Sequence, residues 1–174
     1  MKRLALLFTI MVTFTCTAVH AQFTQSELVS EWQRAKNYTK AYLDAMPADG
    51  YGFKPTPEIR SFAQQMLHLA DGNYFMASTA AGIASPMGDK SVEKEVAPTK
   101  EATIKAVMDS YDFVINALKN MTAAQLQETV SLEGHSVTRF GGFGKAFEHQ
   151  THHRGQTTIY LRLKGITPPR EMLF

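Results

Sequence analysis

Residues 149–169 read HQTHHRGQTTIYLRLKGITPP, and the way this stretch folds decides what the rest of the chain must supply. The pattern predicts a helix from about Lys145 to Lys164, stopped by Gly165 and Pro168, because glycine and proline end helices. At about 100° per residue, His149 and His153 lie about 40° apart and one turn apart, so both rings can address one atom. Gln156 and Tyr160 share their stripe. A polar strip on a helix that faces a core needs partners on facing helices. The alternative is a solvent-facing helix whose histidines carry no chemistry, and what decides between the two is whether another helix brings a third ligand.

Working outward, three further segments carry helical signals. Thr24 followed three residues later by Glu27 forms a capping box, and Leu28, Trp32, Ala35, Thr39, Tyr42, Leu43 and Met46 recur at helical spacing up to Pro47. GYGFKPTP (50–57) is a Gly/Pro-rich connection, after which Thr56 and Pro57 are expected to cap and start a second helix running to about Ile83. A third helix begins near Lys100, with Ile104, Val107, Tyr111, Val114, Leu118 and Met121 as its apolar stripe. Between the second and third, ASPMGDKSVEKEVAP (84–98) reads as a solvated loop whose charges need no functional explanation. Thr122 with Gln125 predicts a short capped turn of helix, and TVSLEGHSVT (129–138) a small hairpin turning at Glu133 and Gly134. GGFG (141–144) reads as a hinge into the last helix, since no Gly-Lys-Ser/Thr follows to make a phosphate loop. Long amphipathic helices with two longer connections predict an all-α four-helix bundle with crossovers.

The start of the chain, MKRLALLFTIMVTFTCTAVHA, places Lys2 and Arg3 before an apolar run that ends in small residues. That is the layout of a signal peptide, expected to span 1–21 and be removed on export to the periplasm or the medium. A lipoprotein reading would use Cys16, but Thr13, Phe14 and Thr15 do not make the usual motif. The remainder, 22–174, is the size of one domain. Without Lys2 and Arg3 the 18 basic residues become 16 and balance the 16 acidic ones. Nucleic acid is therefore not an expected partner, and neither is stable membrane insertion. Cys16 is the only cysteine, so a metal site in the mature chain must use N and O ligands.

His68 sits in SFAQQMLHLADGNYF (61–75), where Met66, Leu67 and Leu69 make the helix apolar and predict partial burial. A lone buried histidine is usually satisfied by a carbonyl. Bundles, however, build metal sites from facing helices, and two imidazoles from one helix with one from another leave positions open on zinc or nickel. His135, beside the hairpin turn, is a weaker fourth candidate, and His152 an alternative to His149.

YGFKPTPEIRSFAQQMLHLADGNYF (51–75) resembles the segment of the DinB-like family in which a lysine-proline turn enters a helix with a metal histidine. The stretch 149–169, with its H-x-x-x-H-R-G-Q core and closing Gly-Ile-x-Pro-Pro, resembles the C-terminal helix of that family. The resemblance implies a four-helix bundle in crossed-over order and a divalent metal on His68, His149 and His153. Some members of that family transfer low-molecular-weight thiols or isomerise thiol-dependent substrates, although an export signal argues against thiol cofactors; water acidified on zinc or nickel would instead make the chain a metal-dependent hydrolase, and a bacterial source is expected. Gln156 and Tyr160 would orient substrate or water, Arg154 would hold a carboxylate or clamp a neighbouring helix, and Asp71 is the nearest candidate base. A non-catalytic metal- or ligand-binding bundle is the alternative. The expected partner is a small-molecule substrate or ligand, and a homodimer is left open.

Overall fold

The computed structural model describes residues 24–174; the expected leader at 1–21, with Cys16, lies outside the described residues. Helix α1 (Gln25–Ala45) starts at the predicted capping box, in which the Thr24 hydroxyl accepts from the Glu27 backbone N–H and the Thr24 N–H donates to the Glu27 carboxylate at 2.6 Å. Helix α2 (Phe62–Ala81) starts five residues after Pro57 rather than at it. A second capping box, Ser61 with Gln64, fixes that start. Residues 54–60 cannot join the helix, because Pro55 and Pro57 disfavour helical backbone before them and because Phe62 and Ala63 donate to the carbonyls of Phe53 and Tyr51. Gly82 ends α2 in the left-handed region, φ 69°, where a side chain would be strained.

The expected loop 84–98 contains one turn of helix, α3 (Val92–Glu95), seated by the buried Val92. Helix α4 (Lys100–Lys119) follows a Thr99 cap, and α5 (Ala123–Leu126) sits on the predicted Thr122–Gln125 box. Strands β1 (Thr129–Leu132) and β2 (His135–Thr138) pair antiparallel, Thr129 opposite Thr138 and Leu132 opposite His135. Glu133 and Gly134 turn the hairpin with φ of 51° and 82°, the positive-φ pair that a two-residue turn of this twist requires. Helix α6 (Arg139–Leu163) begins at a Thr138 cap, six residues before the expected start. GGFG is therefore helix and not hinge: Gly142 is used for packing, since a Cβ there would stand 2.9 Å from the Ala80 Cβ of α2.

The directions of the long helices follow from who touches whom. Helices α2 and α6 run antiparallel, with residue 60 bonded to 160, 65 to 153, 72 beneath 149 and 80 against 142. Helices α1 and α6 run parallel, because Trp32 meets Phe147 and Tyr42 meets Thr158. Helix α4 is antiparallel to α1, pairing Gln25 with Leu118, Lys36 with Asp112 and Lys100 with Met46. It follows that α2 and α4 are parallel neighbours. Consecutive helices α1 and α2 are diagonal across the bundle, as are α4 and α6, while α2 packs on α6 and α4. This is the crossed-over four-helix bundle. Its core holds Trp32, Leu43, Met66, Leu69, Val107, Tyr111, Phe143 and Leu161. No helix among the described residues is long and apolar enough to cross a membrane.

Near the start of α6, the buried Gly142 and the exposed Gly144 should respond oppositely to the same methyl group. Gly142→Ala should destabilise by about 1–3 kcal/mol, because the backbone-borne Ala80 methyl has to move. Gly144→Ala, with open space around it, should stabilise by about 0.5–1 kcal/mol. Chemical denaturation of both variants checks this, and a stabilised Gly142→Ala would mean that the helix seam is looser than described.

Candidate metal centre

The antiparallel register of α2 on α6 sets residue 68 opposite a point between 149 and 153. Accordingly, His68, His149 and His153 each offer a ring nitrogen within 4.8 Å of the others. Ring centroids are 4.4 Å apart for His149 and His153, 4.6 Å for His68 and His153, and 5.4 Å for His68 and His149. The three residues that the sequence singled out are thus brought together from two helices.

Each ring is held differently. His153 is buried and its Nδ1 lies 2.9 Å from the side-chain amide of Gln65, itself buried on α2. His68 is half-buried, with Nδ1 3.4 Å from Glu93 Oε2. His149 lies on Gly72: a Cβ on that residue would fall 2.2 Å from its ring. The His149 Nδ1 atom is buried with no hydrogen-bond partner among the described residues. An orphaned buried ring nitrogen is costly unless something outside the protein satisfies it.

Burial pushes the His153 imidazole down to about 3 and that of His149 down to about 4, and the neighbouring histidines and Arg60 push the same way. Burial and Arg60 lower His68 as well, against the opposing pull of Glu93 and Asp71. At neutral pH all three rings are therefore neutral, the form whose lone pair can bind a divalent ion.

The remaining sequence candidates have other employments. Asp71 accepts three hydrogen bonds from the start of α3, from Ser91 Oγ at 2.8 Å and from the N–H groups of Val92 and Glu93 at 2.5 and 3.1 Å. That leaves the alternative acidic grouping, His68 with Asp71 and Glu93, without a free Asp71 carboxylate. Tyr160 is buried and its hydroxyl donates to the Arg60 carbonyl at 2.8 Å. Gln156 is exposed and 2.9 Å from the exposed His152, whose ring stands 4.9 Å from that of His153. Arg154 is buried, stacked 4.4 Å over the Tyr38 ring of α1 and donating to Gln150 Oε1 at 2.8 Å, so it clamps a neighbouring helix. His135 is exposed on β2 and outside the histidine group. Two contributors were missed from the sequence. Gln65 lies one helical turn before His68, a spacing that could have flagged it. Glu93 lies in the supposed loop, where no periodicity marks it.

Beside the histidines lies a cleft of about 730 Å³, lined among others by Lys54, Ile59, Arg60, Gln65, Glu93, Gln156 and Tyr160. A second depression of about 470 Å³ opens on His149 and His152, walled by the hairpin through Leu132, His135 and Val137. The first cleft adjoins the histidines through Gln65 and Glu93, the second through His149 itself.

The burial of neutral rings has a pH consequence in metal-free protein. Unfolded histidines titrate near 6.5, while His149 and His153 stay neutral in the fold down to about 4 and 3. The unfolded chain thus binds more protons across that window. Stability is fully present above about pH 6.5 and falls as the pH drops from there toward 3. The melting temperature of chelator-treated protein should decline over this range, and that of a His149→Asn/His153→Asn double variant should decline less. Equal slopes would show the rings to be solvated.

Comparison with known proteins gives relatives for the chain and its fold. The model of a family described as the DinB superfamily matches residues 31–157. YjoA of Bacillus subtilis, an uncharacterized protein, is 25% identical over 147 residues, covering 82% of this chain and 92% of its own length. A DinB-like protein of Bacillus cereus has a solved structure that superposes with a TM-score of 0.75 at 18% identity, over 86% of this chain and 98% of that one. The crystal structure of YjoA superposes with a TM-score of 0.67 at 24% identity, over 85% and 96%. At such identities these likenesses bear on the fold alone.

Proposed function

This chain belongs to the DinB superfamily, and from that premise we propose that it binds a divalent metal ion through His68, His149 and His153 and acts on a small molecule as a metal-dependent hydrolase or transferase. The observation that carries the reading is the His149 ring: it occupies a seat that Gly72 keeps open, and its Nδ1 is buried beside two other neutral imidazoles without a partner. Three neutral nitrogen donors from rigid helices suit zinc or nickel, and leave positions for a substrate or water. An ion held there supplies Lewis acidity toward a small electrophile or a hydrolysable bond.

The chain's own residues do the remaining work. Gln65 holds the His153 ring from the side. For His153 to offer Nε2 to the ion, its Nδ1–H must donate to the amide oxygen of Gln65, which needs only the amide orientation that exchanges its O and N. Lys54, Arg60 and Gln156 line the adjoining cleft and are placed to bind the polar end of a ligand, with Ile59 and Ile159 on its apolar side. If residues 1–21 direct export, low-molecular-weight thiols are scarce at the site of action, which favours hydrolysis over thiol transfer. A non-catalytic binding role is the second reading. It is supported by the occupation of Asp71, which leaves no free carboxylate on α2 to serve as a base.

Elemental analysis of purified protein should find one divalent ion per chain. His68→Ala, His149→Ala and His153→Ala should each lose it, and His152→Ala should keep it. Gly72→Ala, which leaves every histidine in place and removes only the seat of one ring, should weaken binding by about 10–100-fold, the scale of changes that misorient a ligand. Wild-type metal content in His68→Ala and His153→Ala would eliminate the centre.

A further inference from the structure

The segment 82–99 has to travel the length of the bundle, since α2 and α4 run in the same direction, and it does so along the outer side of α2. Its midpoint is pinned there. Asp71, one turn after His68, takes up the Ser91 hydroxyl and the first free N–H groups of α3, and Val92 is buried beneath. This fixes the backbone of Glu93 opposite His68. The Glu93 carboxylate is then divided between two partners: Oε1 accepts from Arg60 Nε at 2.9 Å, and Oε2 stands 3.4 Å from His68 Nδ1. That distance is long for a hydrogen bond and closes with a few tenths of an ångström of side-chain movement.

We propose that Glu93 is the positioning residue of His68: its carboxylate accepts the Nδ1–H of the imidazole and so directs the Nε2 lone pair to the point where His149 and His153 converge. The inference rests on the metal-centre reading above. Glu93 is not itself a ligand in this scheme, because both of its oxygens are engaged. Carboxylates that accept from the far nitrogen of a ligating histidine fix its tautomer and orientation and raise its donor strength. Here the carboxylate comes from a different segment than the histidine. An ion pair between the exposed Arg60 and the half-buried Glu93 contributes little by itself, whereas the triple anchoring of α3 on Asp71 places this one side chain with a precision that such a pair does not need.

The test uses the full chain with Glu93→Ala and Glu93→Gln, at a pH near 8. Neither change removes the Glu93 backbone N–H that Asp71 accepts, so both variants should melt close to wild type. Long-range proton–nitrogen NMR correlations of metal-free protein should show His68 as the Nδ1–H tautomer in wild type and in Glu93→Gln, whose amide oxygen can still accept, and a mixture in Glu93→Ala. Zinc titrated against a competing chelator should bind Glu93→Ala about 10–100-fold more weakly, still at one ion per chain, with Glu93→Gln between it and wild type. An Nε2–H tautomer in wild type, or wild-type zinc affinity in Glu93→Ala, would overturn the proposal. Failure of wild-type protein to take up zinc would instead remove the metal reading, and the tautomer of the metal-free protein would still decide the pairing.

Discussion

The close antiparallel approach of α2 and α6 is the constraint on which the rest of this structure depends. Two glycines, one on each helix, make it possible. Gly142 admits the Ala80 methyl, and Gly72 admits the His149 ring where a Cβ would lie at 2.2 Å. The seam is held at its other end by the Tyr160 hydroxyl on the Arg60 carbonyl and in the middle by Gln65 on His153. With the register set at four points, residue 68 has nowhere to go but the gap between residues 149 and 153. Convergence of the histidines is therefore a consequence of helix packing, not of loops that fold around an ion.

A bundle interior that accepts three imidazoles must also keep them from charging. Burial does this, since the cost of placing a cation in an apolar surrounding holds His149 and His153 neutral far below their ordinary range. The neighbouring polar layer is built on different terms. Arg154, Gln150, Tyr111 and Thr39 satisfy one another across α1, α4 and α6, with Tyr111 donating to Gln150 at 2.8 Å and sharing a 2.7 Å bond with Thr39. Arg154 gains a ring face as well. One layer is closed and structural; the other leaves a buried nitrogen open. Asn73 Oδ1 and Thr103 Oγ1 are also buried without a partner among the described residues, so what marks the candidate centre is an open nitrogen that stands within reach of two further imidazoles.

Topology contributes the rest. Parallel packing of α2 and α4 forces a long return, and a long return over the outside of α2 brings Ser91, Val92 and Glu93 to Asp71 and His68. In a simple up-and-down bundle, a short turn would join these helices and no carboxylate would reach this face. The hairpin has an analogous effect on the other flank, where Leu132 and Val137 wall the depression beside His149.

Much of this was legible in the residues themselves, because it rests on local rules. The capping boxes at Thr24 and Thr122, the Glu133–Gly134 turn, the apolar stripe of α4 and the i, i+4 pair His149 and His153 all depend on spacings within one segment. Errors arose where local rules competed. Thr56–Pro57 looked like a helix start, but the Ser61–Gln64 box and the bonds of residues 62 and 63 to 53 and 51 prevailed. GGFG looked like a hinge because isolated glycines disfavour helix, yet contact with α2 outweighs that cost at Gly142. The partnering of Gln65 with His153 and of Glu93 with His68, and the capping duty of Asp71, could not be read from the chain. Each depends on which residues of distant segments face one another, and that is set by helix register and crossover direction, quantities that only the packed tertiary structure determines.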